Sequence, residues 1–89
     1  MHHFRGKLLE GDQVRLDPVS IFIQFHAMKQ GHKGWYGYFP LADGKHVAPG
    51  GPYRLVLEDG RSGILWIENP AEESEEPPRA MFVGEGPLQ

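Results

Sequence analysis

The chain has 89 residues, no cysteine and a formal net charge of −3. That excludes a second sizeable domain, a disulfide framework, and thiolate chemistry or ligation. Hydrophobic residues at 39% and charged residues at 24% match a soluble globular protein, and twelve Gly with eight Pro suit sharp turns between short strands better than helices. No apolar run has the length of a signal peptide or a bilayer span, so a cytoplasmic protein is expected. Residues 1–48 hold six Lys or Arg against four Asp or Glu, and residues 49–89 hold three against eight. The acidic second part makes the chain as a whole a poor binder of polyanions.

Met1-His2-His3 is set aside from the fold argument. Phe4 to Leu9 alternates, with Phe4, Gly6 and Leu8 on one side and Arg5, Lys7 and Leu9 on the other, which predicts a first strand. Glu10-Gly11-Asp12 reads as a turn, and Val14 and Leu16 mark a short second strand ended by Asp17-Pro18. Ser20 to Met28 follows. Its Ile21, Ile23 and Phe25 share one face and its Phe22, Gln24 and His26 the other, while Ile21, Phe25 and Met28 also fit helical spacing. Two Ile and two Phe within five residues favour a strand, with a helix as the alternative.

Lys29 to Gly34 reads as a turn with two glycines. In Trp35 to Leu41, Trp35, Gly37 and Phe39 share one face and Tyr36 and Tyr38 the other. Pro40 ends this strand or confines it to an edge. Ala42 to Gly51 is a connection punctuated by Gly and Pro.

Pro52 to Asn69 is the segment around which the chain is organised: two β-rich runs flank Asp59-Gly60, a dipeptide that tolerates the positive φ angles of a type I′ turn. A two-residue loop sets Glu58 against Arg61, Leu55 against Ile64 and Tyr53 against Trp66. Tyr53, Leu55, Leu57, Ile64 and Trp66 then form the core face, because opposed side chains lie on one side of the sheet. Arg54, Val56, Leu65 and Ile67 form the other face, and a longer loop, Glu58 to Arg61, would shift this pairing. The run Ile64 to Ile67 is apolar on both faces, so it is covered on both sides or meets a partner.

Residues 70–79, with four Glu and three Pro, carry no large apolar side chain and are expected to form a mobile acidic loop. Ala80 to Gly84 returns as a strand, and Gly86-Pro87 ends the regular structure. About six strands in this length are too few for a two-sheet sandwich. The expectation is an all-β fold, a small antiparallel barrel of the SH3-like or OB-like kind, spanning residues 1–89 as one domain.

Catalysis finds little footing. Ser20, Ser62 and Ser74 lack a nucleophile-elbow setting, and the paired carboxylates, Glu72-Glu73 and Glu75-Glu76, lie in the acidic segment. No enzyme activity and no cofactor are expected. His26, His32 and His46 are the set that could hold zinc if the loops converge, but no pair has compact ligand spacing. Lys29, His32 and Lys33 read as a solvated basic turn.

Lys33-Gly34-Trp35-Tyr36-Gly37-Tyr38-Phe39 resembles the Lys-Gly-aromatic-Gly-aromatic strand of cold-shock domains, which are OB-like barrels. That resemblance implies stacking of single-stranded bases on Trp35, Tyr36 and Tyr38, assisted by Lys29, Lys33 and Arg5. Trp35 is an extra residue relative to that motif, and a second aromatic motif has no clear counterpart. Pro49 to Leu55, Glu58 to Gly63 and Phe82 to Leu88 are together similar to small β domains of bacterial proteins with no assigned function. That likeness implies a bacterial source and a β fold, and no site residues.

The expected function is a non-catalytic module that binds another protein or itself through Tyr36, Tyr38, Leu65 and Ile67, by apolar docking or edge-strand pairing, with Glu72 to Glu76 as an acidic rim. Single-stranded nucleic-acid binding is the alternative. No membrane association is expected.

Overall fold

The structure, a computed structural model, describes residues 1–27, 33–41, 47–68 and 79–89. It is an all-β closed barrel of six strands: β1 (His2–Glu10), β2 (Gln13–Ala27), β3 (Lys33–Pro40), β4 (Gly50–Leu57), β5 (Ser62–Ile67) and β6 (Arg79–Glu85). Every pairing is antiparallel, and the order around the ring is β1-β2-β3-β6-β5-β4, closed by β4 against β1. This is the small barrel that the strand count predicts, consistent with an SH3-like or OB-like architecture. Among the described residues no helix is long and apolar enough to cross a membrane.

Alternation decides what lies inside. Leu8, Ile21, Ile23, Trp35, Phe39, Leu55, Leu57, Leu65, Ile67 and Phe82 fill the interior, and no described polar or charged side chain is buried with them. The segment 20–27 is strand rather than helix. His2 and His3 belong to β1, opposite Ile23 and Phe22, so the ordered strand begins before Phe4. The acidic segment expected at 70–79 lies outside the described residues except for Arg79, which opens β6.

Two sequence expectations fail at prolines and turns. Asp17-Pro18 does not end a strand, because β2 runs through it for 15 residues. Gly6 pairs with Val19 and Leu8 with Leu16, so Lys7 faces both Asp17 and Pro18. Pro18 sits at this bulge, where its missing N–H costs the ladder nothing.

The central hairpin forms, but in a different register. Tyr53 faces Leu65, Leu55 faces Gly63 and Val56 faces Ser62. The loop has three residues. Gly60 N–H donates to the Leu57 carbonyl (3.0 Å), Leu57 N–H donates to the Arg61 carbonyl (2.8 Å), and Gly60 takes φ of 97°. That is a turn followed by a left-handed glycine bulge, the other loop that Asp-Gly serves. Asp59 fixes it by accepting from Arg61 N–H and from Arg61 Nε, both at 3.0 Å. The expected Glu58–Arg61 pair is therefore absent: Arg61 pairs with Asp59, and Glu58 pairs with Arg5.

Trp35 explains why this register wins. Its indole lies against Gly63 and Gly84, where an added Cβ would overlap the ring, and its Nε1–H donates to the Gly86 carbonyl at 2.9 Å. The slipped register would aim a branched side chain, Ile64, at the space the indole occupies. A one-residue slip turns every side chain to the opposite face, so Leu65 and Ile67 point inward and Ile64 and Trp66 point out.

Candidate docking face

The outer surface of β3, β6 and β5 is built by three ladders in register. Tyr36 lies opposite Val83, and Val83 opposite Trp66, so one rung crosses three strands. On the next rung Phe22 lies opposite Tyr38 and Tyr38 opposite Met81. Since side chains two apart share a face, the two rungs form one surface. Trp66, Tyr36, Met81 and Val83 are each between 41% and 44% exposed. Four of the six large exposed hydrophobic residues among those described thus stand together; the other two are Met1 and Val14.

Ring contacts join the rungs to the neighbouring strands. Phe22 stacks on Tyr38 with centroids 5.0 Å apart, His3 stacks on Phe22 at 4.8 Å, and His26 tilts against Tyr36 at 5.4 Å. The guanidinium of Arg79 lies 4.9 Å from the centre of the Tyr38 ring, within cation–π range. On the β5 side, Trp66 Nε1–H donates to Glu85 Oε2 at 2.7 Å, which holds the indole across the outside of β6. Glu68 N–H donates to the Met81 carbonyl, so Glu68 lies beside Met81. Two carboxylates therefore border the apolar surface.

The residues expected at an interaction surface divide. Tyr36 is exposed and Tyr38 half-buried on the outer face, as the alternation predicts. Leu65 and Ile67 are buried in the core, and they are withdrawn from the surface for the reason of register given above. Their place is taken by Trp66, joined by Met81 and Val83, which the sequence reading did not single out. The alternation Ala80-Met81-Phe82-Val83 carried part of that signal, and the rest depended on the hairpin register. Edge-strand pairing is corrected too. Closure gives every strand two neighbours, and docking is left to side chains.

The nucleic-acid set fares less well. Trp35 is 1% exposed and its N–H is committed to Gly86, so it cannot stack on a base. Arg5 pairs with Glu58. Lys29 lies outside the described residues, and Lys33 opens β3 opposite Ala27. Of the three histidines, His26 is exposed on β2, while His32 and His46 lie outside the described residues. No group of three potential metal ligands occurs among the described residues.

Elsewhere on the surface, a depression is lined by His3, Phe4, Arg5, Leu57, Glu58 and Asp59. Its charges already satisfy one another: Arg5 meets Glu58, and Arg61, paired with Asp59, lies over the Phe4 ring at 4.9 Å. Comparison of the chain with family models, with curated proteins and with solved structures finds no match in any of the three.

Proposed function

We propose that this chain is a non-catalytic β-barrel module that docks another protein through the outer face of β3, β6 and β5. The observation that carries the reading is the unbroken rung Tyr36–Val83–Trp66 beside Tyr38–Met81. Large apolar side chains scattered singly over a surface need no explanation, but a contiguous group does. Tyr, Trp and Met are also the residue types enriched at interface centres. The wholly apolar described interior supports a binding role over a catalytic one, since a reaction site needs convergent polar groups.

A larger partner fits better than a second copy. The face is the convex side of a narrow barrel, with extents of 40 × 27 × 22 Å. Two convex surfaces touch over few strands, whereas a stable interface covers roughly 800 Å² on each partner. A cytoplasmic, bacterial setting belongs to the same proposal. The lack of cysteine suits a reducing compartment, and the bacterial source rests on the sequence resemblance to small bacterial β domains alone.

The test is selection of a displayed peptide library on the purified chain, with counter-selection on the double variant Trp66→Ser/Met81→Ser. Peptides that bind the native chain and lose the variant are expected. Peptides that hold both equally, or a chain that light scattering shows to dimerise and that loses dimerisation in the variant, would replace this reading.

A further inference from the structure

Resting on that docking face, we infer that its partner presents a cationic side chain, Arg or Lys, which seats on Trp66 between Glu85 and Glu68. Three observations converge on this chemistry. First, the chain makes the contact once with its own residues, since Arg79 covers the Tyr38 ring at 4.9 Å. A guanidinium therefore fits the aromatic rings of this face, as the negative potential above a ring favours. Trp66, a stronger ring for this purpose, has no cation over it among the described residues and is 43% exposed.

Second, among the described residues no ion pair neutralises the carboxylates beside Trp66. The ion pairs made between described residues include Arg5–Glu58, Arg15–Glu10 and Arg61–Asp59, which lie on other parts of the surface. Glu85 spends one oxygen on the indole N–H and keeps the other for a ligand, while Glu68 has no ion pair among the described residues. Arg54 on β4 is separated from Glu85 by Ile64, which pairs with both. A carboxylate next to an exposed indole gives an arriving cation a charge-assisted hydrogen bond and a ring contact together.

Third, the apolar neighbours set the rest of the partner. Val83 and Met81 lie between Trp66 and the tyrosines, so the aliphatic stem of Arg or Lys, or a flanking apolar residue, has a dry surface to cover. The ligand class is thus a basic-apolar protein segment rather than a nucleic acid, whose phosphates the two glutamates would repel.

The probe is a set of three synthetic peptides, with Val alternating with Arg, Ser or Glu, titrated into the full ¹⁵N-labelled chain. The Arg peptide is expected to move the Trp66 indole N–H and the Val83 amide. Glu85→Gln should weaken it about tenfold and Glu68→Gln about threefold, consistent with partly desolvated charge pairs, with the Trp35 indole signal unchanged as evidence that the fold is intact. Equal binding of the Arg and Ser peptides to this face, or indifference to Glu85→Gln, overturns the cationic partner and leaves the docking face standing. If none of the three peptides moves a resonance of the face, the cationic partner is overturned and the docking reading loses its support as well.

Discussion

The two tryptophans of this chain occupy opposite sides of the same wall. Trp35 is 1% exposed and Trp66 is 43% exposed, yet each indole N–H has a single well-placed acceptor, the Gly86 carbonyl for one and the Glu85 carboxylate for the other. Trp35 lies in a hollow that exists only because Gly63 and Gly84 carry no side chain. Its edge meets Phe82 at 5.8 Å, and the barrel closes around it. Trp66 stands on Val83, with water on its free side. Burial accounts for the first tryptophan, and the docking role proposed above is the account offered for the second.

That contrast orders the expected effects of mutation. Trp35→Ala removes the largest buried side chain and should cost about 4 kcal/mol, most of the stability of a domain this small. Gly84→Ala attacks the same contact from the other side, because its Cβ would overlap the indole. It should cost about 3 kcal/mol, and urea unfolding curves check both. Gly60→Ala forces a Cβ into a positive φ of 97° at the turn that closes the central hairpin, for a loss of about 1 kcal/mol. Trp66→Ala should change stability by less than about 1 kcal/mol, since it forfeits only a half-exposed cross-strand contact, while abolishing peptide binding. A Trp66→Ala loss as large as that of Trp35→Ala would erase the distinction between the two.

The smallest effects are those of pH. The Asp59 carboxyl is held below the ordinary range, first by the side-chain hydrogen bond from Arg61 and then by the backbone one. Its folded pKa is depressed, so its contribution is present above the unfolded carboxylate pKa of 3.8 and is lost as pH falls through the folded value. Burial pushes the Tyr53 hydroxyl above its ordinary 10.0, and that hydroxyl donates to the Ala48 carbonyl at 2.7 Å. The folded state therefore holds this proton longer than the unfolded chain does. The Tyr53 contribution is full below pH 10.0 and falls as pH rises from there through the folded value. Asp59→Asn should flatten the acid limb of a pH–stability profile slightly, and Tyr53→Phe the alkaline limb.

Much of the barrel is legible in the residues themselves. Alternation groups Leu8 in β1, Ile21 and Ile23 in β2, and Trp35 and Phe39 in β3 on faces that the barrel turns inward, and sets Tyr36 on the opposite face, which it turns out. What sequence misses is set by contacts between distant segments. Pro18 reads as a strand end, because the bulge that accommodates it is created by the pairing of β2 with β1. Asp59-Gly60 suits two loops that differ by one residue, and the choice falls to the indole of Trp35 and the glycines it meets on β5 and β6. That single residue of register moves Leu65 and Ile67 from the outer face to the core and brings Trp66 out. Half of the candidate site, Tyr36 and Tyr38, was visible in the sequence. The other half depended on a packing contact made across 49 residues of chain, from Trp35 to Gly84.

The most direct measurement follows the two indole N–H resonances of the ¹⁵N-labelled chain during titration with a peptide selected on it. Movement of the Trp66 signal with the Trp35 signal fixed is the predicted result: a ligand seated on the outer wall and a barrel unchanged within. A Trp66 signal that stays in place while the peptide binds, or a Trp35 signal that moves as far as that of Trp66, would contradict the assignment of β3, β6 and β5 as the docking face.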